Sequence, residues 1–138
     1  MANIIEEFGL YAGKIWETLN EQGPLSESKL LTRTMLEEKQ FRAAIGWLAR
    51  ENKICKNGTV YKLGETNLTP KIGADAGKLW SVLTMKKEID VSSVAKLAKI
   101  KEQDAYCALG WLAREDKIET KVIPTPKENK IQVKLKYL

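Results

Sequence analysis

The chain has 138 residues, 43% of them apolar and 30% charged, with 23 Lys and Arg against 18 Asp and Glu for a net charge of +5. These are globular proportions, and no apolar run approaches the roughly 20 residues of a membrane span. Histidine is absent, which removes the commonest general base and the commonest metal ligand.

The acidic start, Met1 to Glu7, has no basic leader, so no signal peptide is expected and cytoplasmic residence follows by default. Asn3 is placed to cap a first helix running to about Asn20, which Gly23-Pro24 breaks. Ser26 caps a short second helix, Glu27 to Arg33. Thr34-Met35 forms a tight turn, and a third helix runs from about Glu37 to Glu51. Its Phe41, Ala44, Ile45 and Leu48 have the i, i+3, i+4, i+7 spacing of a buried face. Ile54 to Leu63 then reads as a hairpin turning at Asn57-Gly58, a strong two-residue turn signal.

The order then repeats. Ile45 to Ile54 returns as Leu109 to Ile118 at an offset of 64 residues, and the same offset carries Gly9, Ala12, Gly13, Lys14, Trp16 and Leu19 onto Gly73, Ala76, Gly77, Lys78, Trp80 and Leu83. Two ungapped blocks at one offset indicate a tandem duplication. In the second copy Thr69-Pro70 starts a helix. Glu88 to Val91 suggests a short strand, Ser92 or Ser93 caps the next helix through about Lys99, and the third helix spans Lys101 to Glu115. The closing hairpin is longer: Ile118 to Ile123, a loop holding Pro124 and Pro126, then Lys130 to Tyr137. With a short linker at about Gly64 to Leu68, the expected organisation is two domains, 1–66 and 67–138. Each is near the lower size limit for a self-sufficient core, so each is expected to lean on the other. Cys55 and Cys107 fall at non-equivalent positions and are expected to be reduced, without disulfide or metal.

Three helices closed by a hairpin is the winged helix-turn-helix arrangement, a mainly α fold with small β-hairpins. Gly13, Lys14 and Trp16, with Ala44 and Gly46 to Ile54, and their partners 64 residues on, resemble the small winged-helix domains of bacteria and archaea. That family is largely of unknown function, and the resemblance implies a DNA-binding role at most.

Gly73 to Lys78 has the look of a phosphate loop but is one residue short, lacks a following Ser or Thr, and sits in a helix with no strand before it. No nucleotide or other cofactor is expected. The glycines have a mechanical reading instead: each costs about 1 kcal/mol against alanine inside a helix, so keeping them in both copies suggests a close backbone approach.

Opposite the buried face of the third helix lie Lys39, Ala43, Gly46 and Arg50, flanked by Arg42 and Trp47. The second copy presents Gln103, Cys107, Gly110 and Arg114, flanked by Tyr106 and Trp111. In a DNA-binding winged helix this is the recognition face, where Lys39, Arg42 and Arg50 in the first copy and Gln103 and Arg114 in the second suit base contacts. Glu37, Glu38, Glu102 and Asp104 at the helix starts repel phosphate, although they also suit the helix dipole. Ala43, Gly46, Trp47, Cys107, Gly110 and Trp111 equally suit a protein interface, with the two copies packed as a pseudo-twofold dimer. The shared Arg50-Glu51 and Arg114-Glu115 read as structural ion pairs or caps.

Residues 1–68 hold nine basic and nine acidic residues, and residues 69–138 hold fourteen and nine, so the second copy carries the whole +5. Lys121, Lys127, Lys130, Lys134 and Lys136 in its wing, with Lys96, Lys99 and Lys101 beside it, form the candidate phosphate-binding patch. Such lysines also guard exposed sheet edges. The sequence thus points to a non-catalytic protein of double-stranded DNA, with no membrane or metal partner, contacting it mainly through the second domain and possessing a regulatory role in transcription. The alternative is a protein-interaction adaptor whose third-helix faces are buried between repeats or subunits.

Overall fold

A computed structural model describes residues 4–137. The first repeat contains α1 (Ile5–Gln22), β1 (Leu25–Ser26), α2 (Glu27–Thr34), α3 (Glu38–Arg50), β2 (Ile54–Asn57) and β3 (Val60–Leu63). The second contains a π-helical turn (Thr69–Gly73), α4 (Ala74–Met85), β4 (Ile89–Asp90), α5 (Val91–Ala98), α6 (Glu102–Arg114), β5 (Ile118–Pro124) and β6 (Asn129–Leu135). Each repeat has one antiparallel sheet, in the orders β1-β3-β2 and β4-β6-β5. Among the described residues no helix is long and apolar enough to cross a membrane.

The repeat extends to the backbone. Met35 and Lys99, just after α2 and α5, have φ of 58° and 61°, and Asn52 and Asp116, after α3 and α6, both have 59°. These left-handed residues let each helix end and the chain reverse within a few residues. Ser26 ends β1 against Val60 and accepts from the backbone N–H of Lys29 at 3.3 Å, so one residue closes the strand and caps α2. Its counterpart is Asp90, paired with Gln132. The second-copy helix therefore starts at Val91 with Asp90 at its cap position, two or three residues before the cap expected at Ser92 or Ser93. Ser93 lies in its first turn and donates its hydroxyl to Asp90 at 2.7 Å.

Two other local expectations shift, and the cap expected at Asn3 lies outside the described residues. The first wing turns at Gly58-Thr59 because Asn57 pairs with Val60. A positive φ at Gly58 alone, 62°, fits a turn with glycine at its first central position. Thr69-Pro70 opens a π-helical turn rather than α4 itself, and Lys71 in that turn pairs with the buried carboxylate of Asp75 at 2.8 Å.

The core has two lobes that exchange residues. Phe8 of α1 is buried in the cluster formed mainly by the second repeat, and its counterpart Ile72 is buried in that of the first. Each repeat therefore completes the other's apolar core, as expected of units too small to bury enough surface alone.

Candidate nucleic-acid interface

The third helices of the two repeats pack on each other. Gly46 abuts the carbonyl of Cys107, and Gly110 abuts that of Ala43; a Cβ at either glycine would overlap the facing backbone. Lys39 meets Tyr106 near the helix starts. Arg50 meets Glu115 at 3.1 Å near the ends, and Arg114 meets Glu51 at 2.9 Å. The helices thus run in the same sense, with N-termini together and C-termini together. Ala43, Gly46 and Gly110 are buried, and Cys107 is partly so. Absence of side chains is what lets the backbones touch, since any Cβ would hold them apart.

The tryptophans frame this seam. Trp47 lies over Gly9, where a Cβ would come within 3.1 Å of its ring, and Trp111 lies over Gly73 at 3.6 Å. The opposite repeat covers the other side: the Arg114 guanidinium stands 5.8 Å from the Trp47 ring, and that of Arg50 stands 5.8 Å from Trp111. Each arginine therefore joins an ion pair to a cation–π contact. Gly13 and Gly77 behave differently. A Cβ there meets nothing within 4 Å, and at Gly9 and Gly73 the neighbour is a tryptophan ring, so the close backbone approach expected of these glycines is not found at them and occurs instead at Gly46 and Gly110.

This packing changes the standing of the expected base-reading residues. Arg42 does not face solvent. Its Nη1 donates to Glu27 Oε1 at 2.9 Å and its Nη2 to Glu27 Oε2 at 3.0 Å, with 14% of the side chain exposed. Burial disfavours the guanidinium charge, but the Glu27 bonds more than offset it and raise its pKa. Its buried Nε has no partner among the described residues. Tyr61 also donates its hydroxyl to Glu27, at 3.3 Å, so Arg42 ties α3 to α2 and β3. Lys39, with 43% of its side chain exposed, stands 5.6 Å from the Tyr106 ring and 3.9 Å from Glu128. Gln103 is exposed at the start of α6, in a cavity between the helix starts that also holds Glu37, Glu38, Glu102 and Glu128. A phosphate backbone approaching this end would meet those carboxylates.

The wing lysines fall into two groups. Lys121 pairs with Glu88 at 2.5 Å, Lys134 with Glu119 at 3.6 Å, and Lys136 with Asp116 at 2.8 Å. The Lys121 bond holds the Glu88 carboxyl below its usual range, and the Asp116 bond raises Lys136. Lys96, Lys99, Lys101, Lys127 and Lys130 are exposed and make no ion pair among the described residues. The first three surround the end of α5, which packs beside β4 and β6. Lys130 and Lys134 lie on the outer face of β6, because Ile131, Val133 and Leu135 alternate with them towards the core. Sequence reasoning missed Glu27 as the partner of Arg42. The two are 15 residues apart across a turn, a separation with no helical or strand signature.

The family model described as Winged helix-turn-helix domain (DUF2582) matches the chain twice, over residues 1–63 and 65–136. No curated protein and no solved structure matches it.

Proposed function

The chain belongs to the winged helix-turn-helix domain family, in two copies, and from that membership we propose that it binds double-stranded DNA through the second repeat, by phosphate contacts rather than base reading. The general use of the fold is DNA binding. The observation that carries this form of it is the contrast between two surfaces. The third-helix faces that would enter a major groove are pressed together at Gly46 and Gly110. Lys96, Lys99, Lys101, Lys127 and Lys130 stand exposed without an ion pair among the described residues, Lys130 lying near enough to Asp90 to help lower its pKa. Lys121, Lys134 and Lys136 add charge that their own carboxylates reduce. Ammonium groups of this kind supply affinity without sequence choice. Within this reading the repeats, taken as 1–66 and 67–138, divide the work: the first supports the seam and the second meets DNA. Residence in the cytoplasm and a role in transcription belong to the same proposal.

The test is duplex binding across a salt series, comparing wild type with a Lys96→Ala, Lys99→Ala, Lys130→Ala triple variant. Each phosphate contact contributes about 0.9 to the slope of log K against log salt, so loss of three should flatten it by about 2–3. Unrelated duplexes should bind alike. Absence of binding at low salt would sink the reading.

A second reading, a protein-interaction adaptor, is favoured by Trp16 and Trp80. These repeat-equivalent residues are 38% and 46% exposed, and large aromatics at a surface suit protein contacts. Failure of DNA binding at low salt, with Trp16 and Trp80 required for capture of a protein, would favour it.

A further inference from the structure

Where α3 and α6 begin, beside the second wing, lies a cleft of about 440 Å³. An adjoining cavity of about 520 Å³ shares Glu37, Lys39, Tyr106 and Glu128 with it. These volumes fall in the range that holds small molecules. Both repeats build the cleft: Ile4 and Phe8 come from the first, and Val122 and Ile131 from the second wing, giving it apolar walls. Its charged lining is Glu7, Glu37 and Glu128 against Lys39 alone, so the excess is negative although the protein is positive overall.

Tyr106 is a second, independent feature. It is 4% exposed, it lines both cavities, and its hydroxyl has no hydrogen-bond partner among the described residues. Burial pushes the phenol well above its usual range, and Glu102 and Glu128 add to this, so the group stays a neutral hydroxyl. The hydroxyl opens onto the cleft rather than being sealed from it, so a bound donor can reach it. Lys39 meanwhile sits as a resident cation. Its ammonium stands over the Tyr106 ring but only 3.9 Å from Glu128, with 43% of the side chain exposed.

We propose that this cleft binds a small organic cation, an ammonium head on a short aryl or alkyl body. The hydrocarbon packs against Ile4, Phe8 and Ile131. The ammonium lies among the carboxylates and donates to the Tyr106 hydroxyl, where Lys39 now supplies the positive charge. Glu37 caps α3, Glu7 bonds Tyr11 and Glu128 faces Lys39, so each carboxylate has one partner, but the lining keeps a negative excess that a neutral body would not offset and that would repel an anion. The site does not depend on the nucleic-acid reading.

Calorimetric titration of the full chain tests it, using phenethylammonium, the neutral phenylethanol and the anionic phenylpropionate as probes. The ammonium is expected to bind at millimolar concentration or better, with the other two at least about tenfold weaker, the scale of one hydrogen bond to a charged group. Tyr106→Phe, which keeps the ring and removes the hydroxyl, should weaken the ammonium by about tenfold. Lys39→Ala, which removes the competing charge, should strengthen it by about threefold. Glu7→Gln, on an exposed side chain, keeps the test open if Tyr106→Phe fails to fold, and should also weaken binding. Equal binding of alcohol and ammonium, tighter binding of the anion, or no ammonium binding to wild type and Lys39→Ala would overturn the proposal.

Discussion

Gly46 lies directly against the carbonyl of Cys107, and a Cβ at position 46 would also stand 2.9 Å from the backbone nitrogen of Trp111. Gly110 repeats the relationship against Ala43. The obstruction is backbone on backbone, so no side-chain rotation relieves it. Gly46→Ala or Gly110→Ala should therefore cost about 3 kcal/mol, the upper part of the range for overpacking. Gly13 and Gly77 are helical but open to space, and alanine there should stabilise by about 0.5–1 kcal/mol each. Urea midpoints of the four variants check this. A stabilising Gly46→Ala would contradict the seam.

Arg50 and Glu115 should show an energetic coupling that Arg114 and Glu51 reproduce. The arginine side chains are 45% and 46% exposed and the glutamates 17%, so solvent screens each pair and the coupling should be about 0.2–1 kcal/mol. A double-mutant cycle with Arg50→Ala and Glu115→Ala measures it. The reversed pair, Arg50→Glu with Glu115→Arg, should recover part of what either single reversal loses. Adding salt should shrink the coupling. Strict additivity of the two alanine substitutions would remove the pair from the forces holding the repeats together.

Much of this architecture is readable along the chain because it is local. Ser26 announces α2, the period of Phe41, Ala44, Ile45 and Leu48 announces the buried side of α3, and the offset of 64 residues transfers both to the second copy. The other side of α3 is not readable in this way. Ala43, Gly46, Cys107 and Gly110 form a face emptied of large side chains, which suits a DNA groove or another helix equally, and only the placement of one repeat on the other decides between them. Arg42 has the chemistry of a base reader, yet Glu27 claims it from a different helix. The cleft at Tyr106 draws on Ile4, Phe8, Lys39, Val122 and Ile131, residues that come together only when both repeats are assembled. The one-residue difference in the first wing has a simpler origin: glycine serves either central position of a tight turn, and strand register selects which.

Cys107 reports on the same seam. It is a free cysteine, partly buried between α3 and α6, and burial pushes its thiol up to about 12. Such a thiol is scarcely ionised near neutral pH, and the thiolate is the form that reacts with electrophiles. Maleimide or iodoacetamide should therefore modify Cys55, on β2 at the edge of the first sheet, well before Cys107. In Gly46→Ala the seam must part, and Cys107 should become reactive in step with the loss of stability. Mass mapping of labelled peptides over time separates the two sites. Rapid labelling of Cys107 in the wild type would mean that the repeats open readily.

Asp90 gives the helix-turn-helix of the second repeat a pH dependence of known sign. The Ser93 hydroxyl donates to its carboxylate at 2.7 Å, and this bond is the main reason that its pKa is lowered, with Lys130 adding to the effect. A carboxyl that is more acidic folded than unfolded stabilises the fold above its unfolded pKa of about 3.9, and that contribution is lost as the pH falls through the folded value. Asp90→Asn keeps a good capping side chain but removes the charge at the start of α5, so at neutral pH it should cost about 0.3–1 kcal/mol. As the pH falls through the lowered folded value the wild type is itself protonated there, and the two proteins should converge in stability. Denaturation midpoints of both across this range decide the matter: a difference that persists unchanged into acid would assign the effect to shape rather than to charge.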